Sequence, residues 1–243
     1  MANPPASCAL RRSWRDDPAG THHRRCGRHR PRRRHSARTH ASSPPRRPQP
    51  RPARAPRRSP ASASVHVADL GDAAQIAELA SGIATLDVLV HSAGVLHMGT
   101  TEELTPEQWR ESLEINVLAP VELTRALLPA LRRAAGQVLL INSGLGHRTM
   151  PGGGAYSASK FALRAFADTL RQEESQHGIR VTSIHPGRVA TPMQQQLRAW
   201  EGQPYDGEAW IRPEQVADAA LTIVNLDRNA DITTLDITPA PRR

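Results

Sequence analysis

The sequence predicts an α/β fold built on a doubly wound parallel sheet. Two observations carry that expectation. The apolar run Val138–Ile141 and the strand-length segments Leu86–Val90 and Val181–Ile184 each end in polar or turn-forming residues, as buried strands of a parallel sheet do. Between them lie segments with apolar residues at helical spacing, such as Ile76, Leu79, Ala80 and Ile83, and strands alternating with helices wind into βαβ units. A length of 243 residues suits one such domain.

Charge divides the chain in two. The formal charge is +9, and residues 1–60 are crowded with Arg and Pro while holding only two acids, Asp16 and Asp17. Such a composition cannot bury a core, so residues 1–61 are expected to form a disordered arm and residues 62–243 the folded domain. The arginines could bind nucleic-acid phosphates, although the arm lacks the interleaved aromatics of a base-stacking surface. His22, His23, Cys26 and His29 are metal-ligand types without a folded frame to set their geometry, and no metal site is expected. Both cysteines, Cys8 and Cys26, lie in the arm. The domain therefore has no disulfide, which fits a reducing cytoplasm. No apolar run approaches the ~18 residues of a membrane span, and the N-terminus lacks the apolar segment of a secretory signal.

The domain's elements follow in order. Ser64–Leu70 alternates and then turns, which predicts a strand, and Asp72–Ala84 predicts a helix. Leu86–Val90 predicts the next strand, followed by His91-Ser92-Ala93-Gly94, where Gly94 permits a tight turn and close backbone approach to a ligand. Thr105-Pro106-Glu107-Gln108 is a helix start, with Thr as N-cap, Pro at the first helical position and Gln at the third. That helix runs through Trp109, Leu113 and Asn116 towards Leu131, with Asn116 unfavourable at mid-helix by propensity. Gly136 ends it. Val138–Ile141 then delivers Ser143 at the carboxyl end of a strand, the edge at which open α/β sheets bind ligands. Gly144–Ala155 is a glycine-rich loop whose flexibility suits a substrate-adjacent position. A helix over Tyr156–Gln176 follows, and then the strand Arg180–Ile184, closing on His185-Pro186-Gly187 with Thr191 beyond. Met193–Ile211 is expected to be a mobile polar connection. Arg212-Pro213 opens the last helix and Ile232–Ile237 forms the last strand.

Lys160 is the only lysine in the chain, four residues after Tyr156. On a helix, positions i and i+4 share a face, so the phenol and the ammonium address one small volume. A neighbouring cation favours phenolate and pulls a tyrosine below its reference pKa of about 10. A phenol so tuned can exchange a proton with a carbonyl or an alcohol.

At these residues the chain resembles the short-chain dehydrogenase/reductase family. The resemblance rests on Tyr156-x-x-x-Lys160, on Ser143 upstream of it, and on Asn116 in the preceding helix, and it covers residues 62–243. It implies a Rossmann-like fold and an NAD(P)-dependent oxidoreductase interconverting an alcohol and a carbonyl. Tyr156 would be the general acid/base, and Lys160 would lower its pKa and hold the nicotinamide ribose. Ser143 would bind the substrate oxygen. Asn116 would distort its helix and hold a water linking the lysine to solvent. Cofactor contacts are implied for Asp69 and Leu70 at the adenine, for Ser92, Ala93 and Gly94, where the family has Asn-Asn-Ala-Gly, and for Pro186, Gly187 and Thr191 at the nicotinamide. The cofactor would be NAD or NADP, with NADP favoured, and the partner a small alcohol or carbonyl. The family also implies a homo-dimer or homo-tetramer, paired through the helices bearing Asn116 and Tyr156, whose outer faces include Leu123, Leu127, Phe161 and Phe166.

The family's sheet has strand order 3-2-1-4-5-6-7, and only its third to seventh strands are recognisable here. The third would then be left without its neighbour, exposing unpaired backbone groups. The genetic code offers an account of the arm. Sliding Thr21–His35 forward by one nucleotide permits Thr-Thr-Gly-Gly-Ala-Gly-Gly-Ile-Gly-Arg-Ala-Val-Ala, which contains the family's glycine loop for the cofactor phosphates. On that reading residues 1–61 are a frameshifted translation of the first two strands and the helix between them, and the chain as it stands, without the glycine loop that cradles the cofactor pyrophosphate, is expected to be inactive. The other class of function is a basic-tailed nucleic-acid-binding protein on a non-catalytic domain, against which stands the complete set of Asn116, Ser143, Tyr156 and Lys160.

Overall fold

The computed structural model describes residues 65–240. The arm over residues 1–61, with His22, His23, Cys26 and His29, lies outside the described residues. Four strands, β1 (Val88–His91), β2 (Gln137–Ile141), β3 (Arg180–Pro186) and β4 (Thr234–Ile237), form one sheet in that order, all neighbours parallel. Six α-helices connect and flank them: α1 (Ala73–Ser81), α2 (Pro106–Leu113), α3 (Ala119–Ala134), α4 (Gly154–Glu174), α5 (Pro192–Trp200) and α6 (Pro213–Val224). This is the expected Rossmann-like parallel sheet with flanking helices.

The run Val138–Ile141 is unbroken because both faces of the sheet are covered there. In β2, Val138 and Leu140 face a core shared with Leu127 and Leu131 of α3 and Leu163, Ala167 and Leu170 of α4. Leu139, between them, faces the opposite core with Ile184, Val216 and Ile223. Full burial of such a side chain contributes about 1.5–3 kcal/mol. At the end of β1, His91 is buried and its Nε2 lies 2.8 Å from Thr124 Oγ1 of α3. Burial pushes its pKa down to about 4, so the imidazole is neutral.

Three expectations are corrected. Residues 65–70 of the expected strand Ser64–Leu70 form no strand, and Val65 and Val67 are 89% and 97% exposed. A strand needs a neighbour for its backbone groups, and among the described residues none is paired here. Asp69 instead organises a turn. Its Oδ1 accepts from Gly71 N at 2.9 Å and its carbonyl from Asp72 N at 3.1 Å, ahead of α1.

The connection Met193–Ile211 is ordered structure: α5 followed by a short 3-10 turn. Glu201 holds it by pairing with both Arg188 and Arg198.

Gly152 in the glycine-rich loop serves close packing rather than flexibility. Gly152 has φ +73°, and a Cβ there would lie 2.2 Å from the Trp200 ring, while one at Gly154 would lie 3.4 Å from Trp109. Two tryptophans, from α5 and α2, thus lie over the loop that leads into α4.

The helix through Asn116 carries a π-helical turn over Glu114–Leu118. Pro120 accounts for it. A proline offers no N–H to the carbonyl four residues earlier, and its ring crowds that carbonyl, which here belongs to Asn116. Inserting one residue relieves the clash. The N-terminus of α2 carries the expected capping box, with Gln108 N donating to Thr105 Oγ1 and Thr105 N to Gln108 Oε1, worth about 1 kcal/mol.

Candidate active site

The carboxyl ends of β1, β2 and β3 open on one cavity of about 950 Å³. Ser92, Ala93 and Gly94 leave β1 along its wall. Ser143 follows β2, Tyr156 and Lys160 enter from the first turns of α4, and Pro186, Gly187 and Thr191 follow β3. All of these sequence-predicted residues line the cavity. Asp69 and Leu70 do not, and Asn116 stands behind the wall rather than in it.

Asn116 acts as a clamp. Fully buried, it accepts from Val95 N at 2.9 Å through Oδ1, and it donates through Nδ2 to Val95 O at 3.0 Å and to Ser159 Oγ at 2.9 Å. Ser159 in turn donates to Tyr156 O at 2.8 Å. The π-turn aims the Asn116 side chain out of its own helix, so that it joins the loop after β1 to α4. Gly94 fits between. A Cβ there would sit 3.0 Å from Asn116 Oδ1 and 3.7 Å from Lys160 Nζ.

Lys160 is 3% exposed. Its Nζ makes one long hydrogen bond, 3.4 Å to Ile141 O, and sits 5.6 Å from the Tyr156 ring centroid. Among the described residues no carboxylate pairs with it. Burial lowers its pKa to about 8. A buried ammonium with donors to spare marks a place for a ligand rather than a structural ion pair. Gln194, at the start of α5, also lines the cavity, and its buried Nε2 has no hydrogen-bond partner.

The expected lowering of Tyr156 is corrected. Burial raises the phenol above its ordinary value, and the hydrogen bond with the Ser143 side chain opposes that rise. The ammonium lies towards the ring rather than dominating the hydroxyl. Ser143 Oγ also accepts from Leu145 N at 3.1 Å. Thr191 caps α5 through Gln194 N and donates to Val189 O, so its hydroxyl serves the helix as well as the cavity.

Sequence reasoning missed Asn142, Ser159, His185 and Gln194, whose roles depend on long-range contacts. It also missed a signal that was available. Of the four methionines, all but Met1 line this cavity, as Met98, Met150 and Met193.

Over 142 residues the chain is 40% identical to dehydrogenase/reductase SDR family member 7B of Bos taurus, a match covering 56% of this chain and 44% of that protein. It is 36% identical over 148 residues to cyclopentanol dehydrogenase of Comamonas testosteroni, covering 58% of this chain and 59% of that protein. The chain spans less than two thirds of the length of these curated relatives. The fold is similar to that of an alcohol dehydrogenase from the archaeon Thermococcus sibiricus complexed with 5-hydroxy-NADP. That likeness has a TM-score of 0.65 and 26% identity, and it covers 73% of this chain and 75% of that one. Residues 49–202 match the short chain dehydrogenase family, a stretch that runs from before α1 to the end of α5, and the chain belongs to that family.

Proposed function

We propose that the domain is an NAD(P)-dependent oxidoreductase interconverting an apolar secondary alcohol and its ketone, with Tyr156 as general acid/base. The observation that carries this reading is the buried, carboxylate-free ammonium of Lys160 on the same cavity as the Ser143–Tyr156 pair. The residues fit a dinucleotide's nicotinamide end. Lys160 Nζ has unused donors for ribose hydroxyls, and Gln194 Nε2 supplies an unpartnered donor. NAD(P)H, when bound, supplies the hydride. Ser143 holds the substrate oxygen beside the Tyr156 hydroxyl, which gives its proton to that oxygen in reduction and takes it back in oxidation. NADP is inferred ahead of NAD because several similar solved structures are described as NADP or NADPH complexes.

The apolar substrate class is inferred from the apolar part of the cavity, which Arg148 and Arg188 also line. Leu96, Met98, Leu145, Met150, Met193 and Leu197 line it, and unbranched thioethers adapt to varied apolar shapes. The test is dinucleotide turnover, by the full chain and by a chain with its reading frame restored over residues 1–61, against ketones of increasing apolar size. Turnover is expected to rise from cyclopentanone to bulkier ketones. A folded, frame-restored chain that neither binds nor turns over NADPH or NADH would sink the reading.

We also infer a homo-oligomer. Leu127 is buried, and Leu123 and Phe166 pack on the core, so of the four side chains expected to face outward only Phe161 does. Phe161 is 40% exposed, and Leu113 and Leu118, on the segment against which α4 packs, are 39% and 49% exposed. Light scattering at micromolar concentration is expected to give a dimer or larger, and Phe161→Asp a monomer. A monomeric parent chain would refute this.

The residues 1–61 reading, a frameshifted arm, is kept as a proposal that the nucleotide sequence decides. The basic-tailed nucleic-acid reading rests on the same residues. A cytoplasmic location is likewise proposed, from a domain without cysteine. Among the described residues no helix is long and apolar enough to cross a membrane.

A further inference from the structure

His185 is 1% exposed at the end of β3, and the chemistry above makes no use of it. Its Nδ1 lies 2.9 Å from Ser143 O, and its Nε2 lies 2.9 Å from Ser183 Oγ. A carbonyl can only accept, so the proton sits on Nδ1. A neutral imidazole then presents a lone pair at Nε2, which the Ser183 hydroxyl must fill by donating. Ser183 Oγ is thereby left to accept from Asn142 Nδ2, at 3.4 Å. Asn142 Oδ1 accepts from Ser143 N at 2.9 Å. The bonds close into a ring: Asn142 to Ser183, Ser183 to His185, His185 to Ser143 O, and Ser143 N back to Asn142. Both backbone polar groups of Ser143 are held by that ring. The same Asn142 Nδ2 also donates to Lys160 O at 3.1 Å, which ties the ring to α4.

We propose that His185 is a positioning residue: a neutral, Nδ1-protonated imidazole that fixes the Ser143 backbone and, through it, the Ser143 hydroxyl against Tyr156. The inference rests on the reading of Ser143 as the group that holds the substrate oxygen. Hydrogen bonds that all run one way round a buried ring polarise one another, and only one tautomer completes this ring. An imidazolium would offer a second donor to Ser183 and break it. The surroundings keep the ring neutral. Burial holds His185 below the ordinary imidazole value. Its contact with Ser143 O and the Asp236 charge oppose that, and His147 and Arg164 add to it. His147 stacks at 3.8 Å between centroids, with Asp236 3.3 Å from its Nε2 and Arg164 3.1 Å from its Nδ1. Arg148 lines the same small pocket.

The test compares the full chain with His185→Phe and His185→Asn. Phe keeps a ring but leaves Ser143 O and Ser183 Oγ without partners. Asn places an amide N–H near the Nδ1 position. In His185→Phe, kcat is expected to fall roughly 10- to 100-fold, the order that a misplacement of about 1 Å costs, with the Kd for NADPH unchanged. His185→Asn is expected to recover most of that loss. A long-range ¹H–¹⁵N spectrum of the parent chain, with His185 identified by its absence from the Phe variant, is expected to show the neutral Nδ1–H form at pH 7. An Nε2–H tautomer or an imidazolium overturns the proposal. So does full kcat in His185→Phe, or an Asn variant as slow as the Phe variant. If the parent chain turns over no ketone, the functional reading falls, while the spectrum still decides the imidazole's place in the ring.

Discussion

Replacing Tyr156 by Phe is expected to lower kcat for ketone reduction by about 10²- to 10⁴-fold, the usual contribution of general acid–base catalysis. The ring that fills the site is kept, so the affinities for substrate and cofactor should change little. The pH dependence adds a second readout. Burial raises the Tyr156 pKa, so at neutral pH the phenol carries its proton and is ready to act as an acid. Ketone reduction should therefore run at full rate through neutrality and fall only on the alkaline side. Alcohol oxidation needs the phenolate and should climb as pH rises. Ser143→Ala removes the hydrogen bond that opposes the rise in pKa, so the oxidation limb should move to still higher pH. Steady-state NADPH consumption and formation across pH measure both limbs. A Phe variant with undiminished turnover would remove Tyr156 from the proton-transfer role.

Lys160→Met is expected to separate binding from stability. Met keeps the length and burial of the stem and deletes the charge. A hydrogen bond to a charged group is worth about 1.5–3 kcal/mol, so NADPH binding should weaken by roughly 10- to 100-fold. The sign with pH follows from a pKa of about 8. Below that value the amine is an ammonium and binding is strong, and above it the proton is lost and binding weakens. The Met variant should show no such dependence. Its Tm should equal or exceed that of the parent chain, because an apolar isostere replaces a buried charge that has no carboxylate partner. An isothermal titration in which the variant kept the parent's affinity would take Lys160 out of the cofactor site.

The residues of the site were legible in the sequence because their chemistry is local. Tyr156 and Lys160 share a helix face by spacing alone. Ser143 ends an apolar run that only a doubly covered sheet can bury, and Gly94 marks a turn after another. The Thr105–Gln108 start of α2 is a four-residue pattern that satisfies its own backbone. The π-turn at Asn116 was not read from the sequence, although Pro120, four residues on, lacks the N–H that an α-helical turn there needs.

Other features exist only through contacts between distant segments. The Asn142–Ser183–His185 ring joins two strands to Ser143. Asn116 meets Ser159 across 43 positions. Gly152 is explained by Trp200, which arrives from elsewhere in the chain. Tyr156's pKa turned on burial, which spacing does not report: the ammonium's proximity was predictable, but the cost of desolvating the phenolate was not. Likewise Ser64–Leu70 has the alternation of a strand, yet a strand's hydrogen bonds belong to its neighbour, so pairing rather than pattern decided that residues 65–70 form none.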